Sequence, residues 1–195
     1  LKLCTLVKYE LLGTNTATGL YYPGDRENGG VFKHAAMMAV TAAFRAAKKV
    51  KSASLAEELV QIASFMLDKV FPFKAMKDPY IIKGNPRFCT QYNNSVTGEN
   101  IGPILSGTAS WLTLAIYEAL GIREEPQRIS FTPIPFMGNI SYVLRSCGTE
   151  ITVRIFAEKG YSGGEFTPLI DGNPIQEEIV IAKDGRAHIL DIRFR

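Results

Sequence analysis

The segment LAIYEALGIREEP, residues 114 to 126, is where the chain changes its hydrophobic period, and the fold is read from that change. Upstream of it apolar residues recur every three or four positions, the spacing that puts side chains on one face of a helix. Met37, Val40, Phe44 and Ala47 follow this rule and predict a helix over 36–49. A second helix is expected from Ser54, with Glu57 completing a capping box and Leu55, Leu59, Ile62 and Met66 turned inward, up to Phe71-Pro72. These two would form an antiparallel hairpin. A third helix, Thr108 to Leu120, is apolar nearly all round and is expected between layers, with Gly121 as its C-terminal stop. Downstream the period is two. Ile151, Val153 and Ile155 alternate with Thr152 and Arg154, and Leu190, Ile192 and Phe194 alternate with Asp191 and Arg193, which predicts half-buried strands. Asp171-Gly172 and Asp184-Gly185 are expected as hairpin turns, because such turns need positive φ. The expectation is an α+β protein in two parts, 1–125 and 126–195, predominantly helical over 36–121 and antiparallel β over 127–195. With roughly 70 residues, the β part would be marginal by itself.

Composition narrows the class. Of 195 residues, 46% are apolar and 21% charged, as in a folded protein, and no apolar run approaches the roughly 20 residues of a membrane span. Twenty-two basic against 19 acidic residues give a net charge of +3, with the bases scattered, which argues against a nucleic-acid partner. Cys4, Cys89 and Cys147 are isolated, so neither a disulfide framework, a zinc site nor any other metal site is expected, and reduced thiols in the cytoplasm fit best. No export signal is visible, and the leucine at position 1 is read as a sign that the chain is a piece of something longer.

Two polar segments stand out. YYPGDRENGGVFKHA, residues 21 to 35, joins permissive Pro23-Gly24 and Gly29-Gly30 turns to Arg26, Glu27, Asn28, Lys33 and His34 at the start of a helix. It suits a ligand-pocket wall, and equally an ordinary loop with solvated charges. GNPRFCTQYNNSVTGENIGPILSGTASW, residues 84 to 111, gathers Arg87, Gln91, Tyr92, Asn93, Asn94, Glu99 and Asn100, amides and aromatics that suit sugar hydroxyls and the apolar face of a pyranose. It ends in Ser106-Gly107-Thr108, which can be a simple helix cap or an anion site made by free N–H groups, a glycine and two hydroxyls.

Together, YYPGDRENGGVFKHA and LSGTASW resemble the C-terminal part of the inverting disaccharide and oligosaccharide phosphorylases, typified by cellobiose and chitobiose phosphorylases. The resemblance runs from about Gly19 to Trp111 and more loosely through the β part. It implies the last helices of an (α/α)6 catalytic barrel followed by the family's closing β domain. It also implies a phosphate site at His34, Ser106 and Gly107, to which the neighbouring Thr108 adds a hydroxyl. A sugar site would hold Tyr21, Glu27 and Gln91, with Arg26 beside them. Serine at 106 replaces the family's usual threonine and keeps the hydroxyl. Lys33 carries no weight in the comparison, because that position varies among the related enzymes. The family's general-acid aspartate lies upstream of the first motif, so the catalytic residue is expected outside this chain, and Asp25 is not taken as a substitute. The implied reaction is phosphorolysis of a β-linked oligosaccharide or disaccharide to a sugar 1-phosphate, with inorganic phosphate as co-substrate, no further cofactor, no membrane partner, and a homodimer of the full-length protein as an option. An inverting (α/α)6 glycoside hydrolase and a non-catalytic carbohydrate-binding module are the alternatives. The chain alone is expected to be inactive.

Overall fold

The computed structural model describes residues 21–72, 89–102, 107–134, 138–157, 166–176 and 178–194. Cys4, Arg87 and Ser106 lie outside them. The described elements are mixed helix and sheet, an α+β arrangement. By contacts the chain falls into two compact units, Leu1–Ala42 with Phe65–Ala115, and Ala43–Ser64 with Ile116–Arg195.

Three helices carry the first part: Lys33–Ala47 (α1), Ala53–Val70 (α2) and Gly107–Leu120 (α3). In α1 the expected face is the buried one, with Met37, Val40, Phe44 and Ala47 each at most 3% exposed. Helix α2 departs from expectation in two ways. Its cap is Ser52, whose Oγ accepts the Leu55 N–H at 3.3 Å, while Ser54 pairs with Ser52 and Glu57 accepts from Gln61. Its buried stripe is Ala56, Val60, Ala63, Leu67 and Val70, joined by Met66, whereas Leu55 and Ile62 are 44% and 46% exposed. The helix carries two apolar stripes one residue out of step, and the one containing small Ala56 and Ala63 permits the closer packing. Helix α3 buries Thr108, Leu112, Ala115, Ala119 and Leu120 but leaves Leu114 and Tyr117 exposed, so it is not enclosed on all sides.

Gly121 ends α3 at φ 67°, and a Cβ there would lie 2.0 Å from the Thr132 backbone, so only glycine fits. Close by, Glu118 is buried between cations: Arg45 Nη2 donates to its carboxylate at 2.9 Å and Lys48 Nζ at 3.2 Å. Burial alone would raise the Glu118 carboxyl, but the Arg45 hydrogen bond and the Lys48 charge outweigh it and hold the group below the usual carboxylate range.

The period-two segment forms two sheets. Ile122–Glu124 (β4), Arg128–Phe131 (β5) and Ile179–Ala182 (β10) make an antiparallel sheet in the order β10-β5-β4. Ile140–Ser146 (β6), Thr149–Phe156 (β7), Phe166–Ile170 (β8), Asn173–Pro174 (β9) and Ala187–Phe194 (β11) make the other, in the order β6-β7-β11-β8-β9. The second sheet is not wholly antiparallel. Strand β11 runs parallel to β7 from Ala187↔Glu150 to Arg193↔Phe156. The strand alternation is as expected, with Ile151, Val153, Ile155, Leu190 and Ile192 buried in one cluster with Ile129, Phe131, Ile179 and Ile181. Alternation fixes which face is buried but says nothing of strand direction, which is why the parallel pair was not foreseen. Asp171-Gly172 makes the expected hairpin turn between β8 and β9, at φ 51° and 81°. Asp184-Gly185 does not, because it connects strands of different sheets. The β6–β7 hairpin turns instead on Cys147-Gly148 (φ 50° and 79°). Cys89 and Cys147 are both free thiols. Three further strands, Val31–Phe32 (β1), Tyr92–Asn93 (β2) and Asn100–Ile101 (β3), form a small antiparallel sheet in the stretch read as helix and loop. Among the described residues no helix is long and apolar enough to cross a membrane.

The two Asp-Gly turns meet at His188, whose Nδ1 lies 2.9 Å from Asp171 Oδ2 and whose Nε2 lies 3.1 Å from Asp184 Oδ1. Both bonds need a proton on each nitrogen, so the imidazolium is the favoured form and the pKa is raised above 6.5, by the Asp171 hydrogen bond first and the Asp184 one next. A raised folded-state value stabilises the fold fully below 6.5 and loses that contribution as the pH rises through it. Urea denaturation of the protein and of His188→Gln at about pH 5.5 and about pH 9 is expected to give a stability gap that shrinks at the higher pH. A constant gap would contradict the clasp.

Candidate functional site

Residues 21 to 30 close on themselves through their backbone. Gly24 N donates to Asn28 O at 2.8 Å, Asn28 N to Asp25 O at 2.8 Å, and Gly30 N to Arg26 O at 2.8 Å. The buried Asn28 side chain donates to Tyr21 O at 2.8 Å. Arg26 sits in the left-handed region at φ 43°, where a residue with a Cβ is held only by its surroundings. The loop is also fastened to the second polar segment. Ser95 N donates to Gly24 O at 2.9 Å, Asn94 Nδ2 to Pro23 O at 3.3 Å, and β1 pairs with β2 through Val31↔Asn93 and Phe32↔Tyr92. A Cβ on Gly24 would come 2.6 Å from Asn94 Oδ1, so this contact requires the glycine. The two segments that stood out in the sequence are therefore one structural object.

Lys33 is the tie within it. Its N–H donates to Gln91 O at 2.9 Å, and its ammonium donates to Thr90 Oγ1 at 2.7 Å and Asn100 Oδ1 at 2.6 Å. Burial lowers its pKa to about 8, against a small opposing pull from Cys89. The same Gln91 carbonyl receives Thr108 Oγ1 at 3.5 Å, so the first turns of α1 and α3 hang from one peptide group. In consequence His34 and the start of α3 are neighbours: a Cβ on Gly107 would lie 4.0 Å from His34 Cβ.

The expected site residues distribute as follows. His34 stands beside Gly107, its ring edge-on to Phe32 at 5.6 Å, and its Nδ1 is buried without a hydrogen-bond partner. Thr108 is fully buried, which turns its hydroxyl to Gln91 O rather than to an open surface. Gln91 contributes its carbonyl to that tie, and Ser106 lies outside the described residues. Arg26 stacks over the Tyr21 ring at 5.2 Å, and Glu27 Oε2 is buried without a partner. Three further groups belong here as well. One is Lys33. The second is Asp25, whose Oδ1 is also buried and unpartnered. The third is Tyr92, whose phenol is pushed up first by burial, drawn back by Arg26 and pushed further by Asp25 and Glu27, which marks all three charges as its neighbours. Buried polar atoms almost always find partners, and three without one, on Asp25, Glu27 and His34, fall within ten residues here.

A cavity of about 350 Å³ is lined by Lys33 with Val31, Ala36, Met66, Val70, Asn93 and neighbouring residues. None of His34, Glu27, Gly107 or Thr108 lines it, so the cavity and the cluster of orphaned groups are distinct. Among the described residues no group of His, Cys, Asp and Glu is arranged to hold a metal. In comparisons with known proteins, no family model and no curated protein matches this chain.

Lys33 makes the site's integrity depend on pH. Its folded value of about 8 lies below the ordinary 10.5, so the folded state carries a penalty that is in full force below 8 and is relieved as the pH climbs to 10.5. The stability of the protein relative to Lys33→Met is expected to rise between those limits by on the order of 3 kcal/mol. Chemical denaturation across that range measures it, and a flat or falling difference would show the lysine to be solvated.

Proposed function

We propose that this chain forms the C-terminal part of an inverting glycoside phosphorylase, with α1, α2 and α3 belonging to an (α/α)6 catalytic barrel and the sheets forming its closing β domain. Inorganic phosphate attacks the anomeric carbon of a β-linked gluco-oligosaccharide and displaces the leaving sugar, whose oxygen takes a proton from a carboxylic acid supplied upstream. Phosphate is already a nucleophile, so the protein's part on this side is to hold it in line and offset its charge. His34, Ser106 and the N-terminus of α3 at Gly107 and Thr108 take that role, and Tyr21, Arg26, Glu27 and Gln91 form the sugar side.

One observation carries the reading: an imidazole with a buried, unpartnered Nδ1 stands beside Gly107 at a helix N-terminus, where free N–H groups favour an anion. Thr108 supports it less directly, by fixing the helix end through Gln91 rather than by offering its hydroxyl. The orphaned oxygens of Asp25 and Glu27 favour a second reading, an inverting hydrolase with paired carboxylates across a water. Phosphate separates the two. Calorimetric titration of the chain with inorganic phosphate is expected to show one saturable site, weakened about tenfold or more in His34→Ala. Absence of phosphate binding would remove the phosphorylase reading. Without the general acid, release of sugar 1-phosphate by the chain alone is expected to fall about a hundredfold or more below that of a complete enzyme, and robust release would place the acid among residues 1–195.

A further inference from the structure

The cavity lined by Lys33 lies within one compact unit and has a charge pattern of its own. Ala36, Met66 and Val70 give it an apolar wall. Among the described residues its polar lining is two cations, Lys33 and Lys69, with neutral Asn93, Asn94 and Ser95, and no carboxylate. Two other shielded lysines, Lys48 and Lys183, each meet an acid, Glu118 at 3.2 Å and Glu124 at 2.7 Å. Lys33, only 7% exposed, is the exception. Among the described residues its ammonium meets neutral oxygens alone, those of Thr90 and Asn100, and burial lowers its pKa with no carboxylate to oppose it. Those two bonds occupy two of its three donors. Asn93 Nδ2 reaches the same Asn100 Oδ1 at 3.2 Å, so the anchor of the ammonium is shared with a second residue of the cavity wall. A buried cation without a counterion is costly, and an anion entering the cavity would lift that cost.

We infer that this cavity is a binding site for a small organic carboxylate with an apolar body, its charged end paired with the Lys33 ammonium. The inference does not depend on the phosphorylase reading. The third Lys33 donor and the Ser95 hydroxyl supply hydrogen bonds to the carboxylate, and the exposed Lys69 adds a second positive charge to the wall. The rest of the ligand must be apolar, because oxygens set against Ala36, Met66 and Val70 would find no donors. That requirement sets the ligand apart from inorganic phosphate. A volume of about 350 Å³ lies at the low end for small-molecule sites and takes a body of on the order of ten non-hydrogen atoms. An anion beside the ammonium favours its charged form and raises its pKa from about 8, so binding draws a proton from solution in the alkaline range.

Calorimetric titration of the full chain with octanoate, octanamide and inorganic phosphate as separate probes tests this. Octanoate is expected to bind at one saturable site, and octanamide, which keeps the shape without the charge, about tenfold or more weaker. In buffers of different ionisation enthalpy, octanoate binding is expected to take up about half a proton at pH 8 and close to none at pH 6.5, because the Lys33 amine is half-protonated at its folded value of about 8. Lys33→Met is expected to lose the charge preference, binding octanoate no more tightly than octanamide. Excess phosphate is expected to leave octanoate binding unchanged. No octanoate binding, equal affinity for octanamide in the parent chain, or no proton uptake at pH 8 would each overturn the inference, and all three are read without the variant, should Lys33→Met fail to fold. Displacement of octanoate by phosphate would also overturn it, by reducing the cavity to a general anion patch.

Discussion

A buried lysine holds the candidate site together. Lys33 uses its backbone N–H on Gln91 and its ammonium on Thr90 and Asn100, so one residue closes α1, β2 and β3 around a single point. The proposed phosphate side hangs from that tie. The Gln91 carbonyl also receives the Thr108 hydroxyl, and the Gly107 end of α3 lies beside His34. A lysine ammonium is expensive to desolvate, and its lowered pKa records the expense. What makes it worth burying is geometry: three donors on a long stem can reach oxygens that no backbone group of the loop could satisfy.

The second unit is arranged by a different constraint. Gly121 must be glycine because the Thr132 backbone occupies the space of a Cβ, and the same close approach lets Thr132 N donate to Gly121 O at 2.9 Å. Helix α3 thus hands its chain directly to β4 with no loop between. The buried Glu118, one turn earlier, is neutralised by Arg45 and Lys48, and Lys48 also donates to the Glu118 carbonyl, so the last turn has its charge and one of its free carbonyls satisfied together.

Much of this was legible in the sequence, and the failures have physical causes. The change of period at Gly121 located the change of secondary structure, and Met37, Val40 and Phe44 were placed on the buried face of α1 because only one apolar stripe exists there. Helix α2 has two, and spacing cannot choose between Leu55-Ile62 and Ala56-Ala63 when the deciding factor is how closely a neighbour approaches. Asp184-Gly185 turns no hairpin although its dipeptide favours one, and Cys147-Gly148 turns one that was not expected, because sheet partners rather than dipeptides decide which turns become hairpins. In the site, the polar motifs were visible but their mutual fastening was not. Strands of two residues, such as β1 and β2, leave no periodicity to read, and Lys33 is indistinguishable in sequence from a solvated lysine.

The most direct measurement is a crystal of the chain grown without anions and soaked in inorganic phosphate. The account predicts one ordered phosphate in contact with both the His34 imidazole and the backbone N–H groups at the Gly107 end of α3, with Lys33 still bonded to Thr90 and Asn100. Phosphate bound elsewhere, or a His34 ring turned away from Gly107 in its presence, would contradict it.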